Sequence, residues 1–338
     1  MAQAVEQPTA SPHPPQATSP CLCESCARVT ERAALAGARW LGRADDDAAE
    51  RDAAEGMRDV LDTFPVHGRI VIGSADDESP LRVGEEIGAG EASVDLALDP
   101  LEGRGVVARG GNGAMSMIAV GEPGSLLNLP DMYMRTMAVG PRARGAIDLL
   151  RPMADNITAI ADAFGRRAND VTTIVLDRPR HHDLIEDVRA AGARIKLIQD
   201  GTVTASISAA IRGTNDHLAV GIGGTRQAVM SAAALRCLGG EVQAQLWPTT
   251  RREIERAREA GIDDTGRVFT TEELAAGEVI VVATGVSNGD LLRGVRFLAD
   301  SARTHSLVMC TRCNWVRFVD GIHFFARERR EEVRLPGF

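Results

Sequence analysis

Three groups of carboxylates lie at points where the chain is predicted to change direction. One group opens a predicted helix and the other two follow predicted strands: Asp45-Asp46-Asp47 with Glu50, Asp76-Asp77-Glu78, and Asp99 with Glu102. Carboxylates at the ends of neighbouring strands are a usual way to gather hard cations such as Mg²⁺ or Mn²⁺. The same spacing also fits solvated acidic turns, so the residues alone leave both interpretations open.

Five of the six cysteines lie in two short motifs. Cys21, Cys23 and Cys26 form Cys-x-Cys-x-x-Cys, and Cys310 and Cys313 form Cys-x-x-Cys. In a protein of a reducing compartment, such spacing indicates metal binding more than disulfides. The motifs therefore favour a structural zinc or an iron–sulfur cluster, with free thiols or a regulatory disulfide as the alternatives.

A Gly-rich segment, Gly221–Gly224, separates a predicted strand from a predicted helix. The free amides at a helix N-terminus can hold an anion such as phosphate. A tight strand-to-helix turn is the alternative interpretation of the same residues.

Hydrophobic spacing predicts the elements that must position these groups. Residues 1–20 are rich in Pro, Ser, Ala and Gln, which predicts a disordered tail. Apolar residues three and four positions apart predict a helix from about Glu24 and another over Asp47–Phe64. Strands are then predicted at Arg69–Gly73, Val94–Asp99, Met115–Val120 and Met132–Gly140.

Beyond Pro152, short predicted strands alternate with helices of about ten residues. Such alternation is typical of crossover connections and predicts a largely parallel sheet. We therefore predict an α/β fold with two α/β lobes. Residues 21–150 would form the lobe with the metal and phosphate site, and residues 151–338 the lobe with the substrate-binding loops.

Composition excludes several classes of function. The formal net charge of -9 argues against a nucleic-acid partner. The chain has one lysine, Lys196, so a P-loop is absent and Schiff-base chemistry could centre only on that residue. No apolar run could span a bilayer and no secretory signal opens the chain, which predicts a cytoplasmic protein without a membrane partner.

Many segments in one order resemble the class II fructose-1,6-bisphosphatases of bacteria. The resemblance runs from about Arg28 to Arg330. It is carried by RVTERAALAGARWLGR (28–43), VDLALDPLEG (94–103), PDMYM (130–134), LDRPRHHDLI (176–185), GARIKLIQDG (192–201), GIGGT (221–225) and ATGVSNGDLLRGV (283–295).

This resemblance implies the layered α-β-α-β-α sandwich of the lithium-sensitive sugar and inositol phosphatases. It also implies Mg²⁺- or Mn²⁺-dependent removal of the 1-phosphate from fructose 1,6-bisphosphate. The residues that match the family's substrate-gripping positions are Tyr133, Arg178, Arg180, His181, Asp200, Gly201, Gly223 and Gly224. We expect a small-molecule sugar phosphate as the partner and a homo-oligomeric assembly.

Departures from the family pattern concentrate on its catalytic positions. Three family positions that carry metal ligands differ: an aspartate is replaced by Glu50, a glutamate by Ser74, and the glutamate of a Pro-Glu pair by Gln227, with Arg226 in place of the proline. In addition, Asp46 replaces a family lysine, and Arg104 replaces a threonine near the scissile phosphate. The family pattern has no cysteines at either cysteine motif. Two anionic ligands are lost and two cations are gained, which should weaken binding of a divalent ion.

The resulting hypothesis is a surviving sugar-phosphate pocket with a weakened or repurposed hydrolytic centre. Asp99, Glu102, Glu50 and Asp77 could still hold one Mg²⁺ or Mn²⁺ ion, with Gln227 as a neutral oxygen ligand. Asp77 is also the candidate to orient water. Arg104, with Arg178 and Arg180, could neutralise phosphate directly. The alternatives are a non-catalytic sugar-phosphate-binding paralogue, and a metal- or redox-responsive protein that functions through its cysteines.

Overall fold

The described part of the chain is residues 21–325 of a computed structural model. The tail predicted at residues 1–20 lies outside the described residues. Within residues 21–325 the α-helices are α1 (Cys23–Gly37), α2 (Asp46–Leu61), α3 (Arg104–Ala108), α4 (Met153–Phe164), α5 (His182–Ala190), α6 (Thr202–Ala210), α7 (Thr225–Leu238), α8 (Arg251–Glu259) and α9 (Thr271–Leu274). Single 3-10 turns occupy Ala38–Trp40, Pro141–Ala143, Ala168–Asp170 and Pro179–His181.

The strands alternate with these helices along the described residues. They are β1 (His67–Ile72), β2 (Glu86–Ile87), β3 (Ser93–Glu102), β4 (Met115–Gly121), β5 (Tyr133–Val139), β6 (Thr172–Leu176), β7 (Arg194–Ile198), β8 (Leu218–Gly224), β9 (Glu241–Leu246), β10 (Val268–Phe269), β11 (Val279–Gly285), β12 (Arg296–Phe297), β13 (Ser301–Cys310) and β14 (Trp315–Phe324).

Local sequence explains where the helix before the carboxylate site begins. The side chain of Asp45 accepts a hydrogen bond from the Ala48 amide at 2.9 Å and caps α2. Asp46 and Asp47 follow in the first turn, where negative charge is favoured. Buried alanines and Met57 then recur on the inner face of α2, which packs against α1.

The strands form two mixed sheets. The first has eight strands in the order β12-β13-β11-β4-β3-β1-β2, with β14 paired to β13. The second has six strands in the order β10-β9-β5-β8-β6-β7. In the first sheet only β1 and β3 pair in parallel, and in the second only β6 pairs in parallel, with β7 and β8.

The prediction of a largely parallel sheet is therefore wrong, although both sheets are mixed. Antiparallel pairs such as β4 with β11 join strands that are far apart in the sequence. Alternation of strands and helices reports only the connections between successive elements. This alternation does not indicate which distant strand pairs with a given strand in the sheet.

Three hydrophobic cores fill the space between helices and sheets, and they confirm the predicted α/β sandwich. One core lies between α1, α2 and the first sheet, and another between the second sheet and the helices α4 and α5. The largest lies between the two sheets, where α7 contacts strands of both. The layer order is therefore α-β-α-β-α.

Each sheet draws strands from both sides of residue 150. Strand β5 belongs to the second sheet, while β11, β13 and β14 belong to the first. The sheets thus do not follow the boundary predicted between the lobes, and the division of the chain into domains stays a prediction. Within residues 21–325, none of the helices has the length and apolar character needed to cross a bilayer.

Candidate active site

A cleft of about 890 Å³ lies where the ends of β1, β3 and β8 approach the N-termini of α2 and α7. It brings together ten residues that the sequence nominated. They are Glu50, Asp99, Glu102, Arg104, Tyr133, Arg180, Asp200, Gly223, Gly224 and Gln227. Residues separated by more than a hundred positions therefore form one polar site.

A β-bulge directs the two strand-end carboxylates into this cleft. Strand β3 changes register against β4 between Asp99 and Glu102. Residues three positions apart lie on opposite faces of a regular strand, because side chains alternate. The extra residue of the bulge re-aims the chain, so that both carboxylates line the cleft.

Glu102 also fixes the position of a helix. Its two carboxylate oxygens accept hydrogen bonds from the Val203 amide at 2.7 Å and from the Thr204 amide and hydroxyl at 3.1 and 2.7 Å. These amides belong to the first turn of α6, whose N-cap residue Gly201 has no side chain. Glu102 therefore caps α6 from a distant strand, and three of its roughly four acceptor positions are used.

The environment raises the pKa values of both strand-end carboxylic acids. Burial raises the pKa of Glu102 to about 8, with the neighbouring Asp99 adding to the rise and the Thr204 and Val203 hydrogen bonds opposing it. Burial likewise raises the pKa of Asp99 to about 6, while Arg226 opposes the shift and Glu50 adds to it. The cleft therefore shifts both acids toward their protonated forms, and a cation beside them would oppose that shift.

Arg104 supplies one cation beside this cluster. Its guanidinium lies 2.5 Å from a Glu50 oxygen, 3.4 Å from Asp47 and 3.7 Å from Asp46. The arginine is the first residue of α3 and reaches across to the N-terminal turns of α2. The carboxylate of Glu50, nominated as a metal ligand, is therefore paired with a protein cation.

Arg226 supplies the second cation. The sequence marks it as a gained charge but does not nominate it as a site residue. Its guanidinium donates to the Gly73 carbonyl at 2.7 Å, at the end of β1 and next to Ser74. It is also the main positive charge acting on Asp99. The change from the family's proline was the signal available in the sequence, but only the fold brings this side chain to the strand-end carboxylates.

The opposite wall of the cleft carries the predicted substrate-binding groups. The Arg180 guanidinium donates to the Ile222 carbonyl at 3.0 Å and stacks on the Tyr133 ring, with its central carbon 5.1 Å from the ring centre. Gly224 is the N-cap residue of α7 and has no side-chain cap. The Thr225 amide donates to the Met132 carbonyl at 3.0 Å, so an anion could be held only by the later amides of the first turn. A Cβ atom on Gly224 would lie 2.5 Å from Oε1 of Gln227, so a larger residue there would require the flexible Gln227 side chain to move.

His181 has a structural role in the present arrangement. It is fully buried, its Nε2 accepts from the Ile222 amide at 2.7 Å, and its Nδ1 lies 2.8 Å from the Leu176 carbonyl. Burial lowers its pKa, and the adjacent Arg180 and Arg178 lower it further. The neutral ring therefore links the Leu176 and Ile222 backbone segments beside Arg180, and both of its nitrogens already have hydrogen-bond partners.

Three further nominated residues do not line the cleft. Arg178 is half-buried and donates to the backbone carbonyls of Asp177 and Gln199. Asp77 is exposed in the turn after β1, where its carbonyl accepts from Arg82. Gly201 lies outside the 890 Å³ cleft and lines an adjacent cavity of about 480 Å³.

The single lysine lies in that adjacent cavity and is held as an ion pair. The Nζ atom of Lys196 is 2.9 Å from Asp216 and 2.7 Å from Asp290. Burial acts against its charge, but hydrogen bonds to Asp290 and Asp216 raise its pKa overall. The amine is therefore protonated at neutral pH and is not a nucleophile for Schiff-base chemistry.

The structure gathers four of the five nominated cysteines. The Sγ atoms of Cys21, Cys23, Cys310 and Cys313 all lie within 4.8 Å of one another. Cys26 is completely buried in the core one helical turn beyond Cys23 and does not belong to this group.

The cleft carboxylates do not form a comparable cage for a divalent ion. Across residues 21–325, the four cysteines are the one set of three or more His, Cys, Asp or Glu side chains that converge closely enough to hold a metal. Glu50 is paired with Arg104, and Glu102 is engaged by α6. The donor set of the cleft therefore does not fit a preformed site for two Mg²⁺ or Mn²⁺ ions.

Comparison with known proteins decides the family. The model of the bacterial fructose-1,6-bisphosphatase, glpX-encoded, matches residues 21–323. The chain belongs to the class II fructose-1,6-bisphosphatase family. The resemblance described from the sequence is thereby confirmed.

Individual relatives are similar over nearly their whole length. A D-fructose 1,6-bisphosphatase class 2/sedoheptulose 1,7-bisphosphatase from Synechococcus sp. (strain JA-3-3Ab) is 43% identical over 335 residues, with 91% of this chain and 96% of the relative covered. Its counterpart from Microcystis aeruginosa is 40% identical, with 90% and 97% covered. The family is one of metal-dependent phosphatases.

Proposed function

We propose that this protein binds a sugar bisphosphate in the cleft, and that its metal-dependent phosphomonoester hydrolysis is weakened or repurposed. The relatives' names include fructose 1,6-bisphosphate and sedoheptulose 1,7-bisphosphate phosphatases, which nominates these two compounds as first ligands to test. The observation that carries the proposal is the placement of Arg104 and Arg226 against carboxylates and a strand end of the cleft.

Charge complementarity supports the binding part of the proposal. One phosphate would lie at the uncapped N-terminus of α7 beside Arg180, where amides and a guanidinium both donate. Tyr133 is exposed at the same wall and offers its hydroxyl to the ligand. The Asp200 carboxylate lines the same cleft and could accept from sugar hydroxyls.

Competition between arginine and a metal ion for the Glu50 carboxylate supports the proposal that hydrolysis is weakened. A dication at Glu50 would have to displace the Arg104 guanidinium from the carboxylate oxygen that it contacts at 2.5 Å. Ser74 and Gln227 are neutral where the family supplies carboxylates, so they would add little charge to hold such an ion. We infer at most one weakly held Mg²⁺ or Mn²⁺ ion, resting on Asp99 and Glu50.

The direct test measures binding and turnover separately. Calorimetric titration with fructose 1,6-bisphosphate and sedoheptulose 1,7-bisphosphate, with and without Mn²⁺, should give binding without a strict need for metal. Phosphate release from the same compounds should be slow in Mn²⁺. Stoichiometric, tight Mn²⁺ binding together with rapid phosphate release would refute the weakened centre.

A reconstruction variant sharpens this test. Ser74→Glu, Arg104→Thr and Gln227→Glu combined would restore the residue types that the family resemblance implies for an active centre. Phosphate release in Mn²⁺ should then rise by at least tenfold over the unmodified protein, while the matched Ser74→Gln/Arg104→Lys/Gln227→Asn variant should show no rise. Binding with no turnover in any variant would favour the non-catalytic paralogue instead.

Absence of sugar-phosphate binding would leave the cysteine-based function as the remaining candidate. The cytoplasmic location and the homo-oligomeric assembly stay predictions. Localisation of a tagged chain and light scattering of the purified protein would test them.

A further inference from the structure

The two cysteine motifs meet at one point of the fold. Cys21 and Cys23 stand at the start of α1, and Cys310 and Cys313 stand at the turn between β13 and β14. The Sγ atom of Cys21 is 3.2 Å from that of Cys23 and 3.7 Å from that of Cys310, which is 289 residues away. All four cysteines carry free thiols in the structure.

We propose that Cys21, Cys23, Cys310 and Cys313 bind one structural Zn²⁺ ion. The inference does not rest on the proposed function, because the group lies outside the cleft and shares no residue with it.

Distances favour a single ion at the centre of the group. Four sulfurs held tetrahedrally at the usual Zn–S length of about 2.3 Å would be about 3.8 Å apart. The contacts of 3.2 and 3.7 Å lie slightly below that value, and all pairs lie within 4.8 Å, about 1 Å above it. A four-iron cluster places iron and sulfide atoms between its cysteines and needs wider spacing than this group offers.

The backbone around the thiols suits a closed tetrathiolate site. The Cys313 amide donates to Sγ of Cys310 at 3.3 Å across the Cys-x-x-Cys turn. Helix α1 begins at Cys23 and has no side-chain cap, so its positive end faces the net negative charge that four thiolates and one Zn²⁺ ion carry. Cys23 and Cys310 are buried in the core that α1 forms with the first sheet, where the metal would be shielded from solvent.

Four protein ligands leave no open coordination position, so the ion would be structural. It would tie the start of α1 to the tip of the β13–β14 hairpin. The same helix is joined to the first sheet by the buried Thr30–Thr284 hydroxyl contact of 2.7 Å, two turns further along. The ion would therefore fix the end of α1 that this contact does not hold.

The test measures metal in the full-length protein, purified without a polyhistidine tag under reductant. We expect one zinc per chain by mass spectrometry of metals, and a zinc X-ray absorption spectrum with four sulfur neighbours at about 2.3 Å. Cys310→Ser and Cys313→Ser should lose the zinc, whereas Cys237→Ala, a cysteine outside the group, should keep one equivalent. The absorption measurement uses the unmodified protein, so it holds even if a ligand variant fails to fold.

Several results would overturn the proposal. They are iron with acid-labile sulfide in the purified protein, a disulfide within the group under reductant, and no zinc after incubation with stoichiometric Zn²⁺. Equal zinc loss in Cys237→Ala and Cys310→Ser would also contradict it.

Discussion

Arg104 offers the sharpest test of how this cleft treats divalent ions. The Arg104→Thr variant removes a guanidinium that lies 2.5 Å from Glu50 and within 3.7 Å of Asp46 and Asp47. Both members of the Arg104–Glu50 pair are roughly half exposed, so the pair should contribute only about 0–1 kcal/mol to folding. The variant should therefore fold normally, and its main effect should be electrostatic.

The size of that effect follows from Coulomb's law. A dication on the Glu50 carboxylate would lie roughly 4–5 Å from the guanidinium, and a water-like dielectric gives a repulsion of about 2 kcal/mol. Removing the guanidinium should therefore tighten Mn²⁺ binding by roughly 30-fold. A less polar local environment would make the gain larger.

Electron paramagnetic resonance of free Mn²⁺, or calorimetric titration, measures this affinity. Arg104→Lys is the matched control, because it keeps the positive charge while changing the shape of the side chain. It should leave the affinity within about threefold of the unmodified protein. If Arg104→Thr fails to tighten Mn²⁺ binding, or if Arg104→Lys tightens it as much, the guanidinium does not compete with a metal ion.

Three other substitutions test separate parts of the site. Arg180→Ala should weaken binding of fructose 1,6-bisphosphate by about tenfold in calorimetry, since a charge-assisted bond to phosphate is lost, whereas Arg189→Ala on the surface should leave it unchanged. The free energy of unfolding of the unmodified protein should fall, relative to Glu102→Gln, by about 1.4 kcal/mol per pH unit between pH 5 and pH 8. The sign follows because the pKa of Glu102 rises from near 4 in the unfolded state to about 8 in the folded state, so the folded protein binds one more proton between these values. If urea denaturation gave the same difference in unfolding free energy between the two proteins at every pH, the prediction would be contradicted. His181→Ala should cost about 2–4 kcal/mol by urea denaturation because it leaves two backbone groups unpaired, and a loss no greater than that of the exposed His182→Ala would count against the structural role.

Most individual elements could be predicted from the sequence alone. The helix over Asp47–Phe64 is found at Asp46–Leu61, and the strand over Val94–Asp99 is extended by three residues to Glu102. These elements depend on apolar spacing and on local caps such as Asp45, which are visible within a few residues of sequence. The family resemblance supplied the layered architecture, which local patterns did not.

The candidate site could be predicted only in part. Carboxylates at 50, 99 and 102 and the Gly-rich segment were visible as motifs, and they do line one cleft. The bulge that turns Asp99 and Glu102 to the same side was not visible, because strand periodicity alone places them on opposite faces. The burial of His181 was equally hidden, since its two partners come from the end of one strand and the middle of another.

What the sequence determined by itself is the supply of chemical groups: one lysine, paired cysteine motifs, acidic turns, and arginines at positions 104 and 226. Tertiary structure decided which of them meet. It selected four cysteines and left Cys26 in the core, set Arg104 on Glu50, and used Glu102 to cap a helix a hundred residues away. The physical reason is that spacing along the chain fixes only neighbours within a turn or a strand, whereas contacts between distant residues depend on how whole sheets and helices pack.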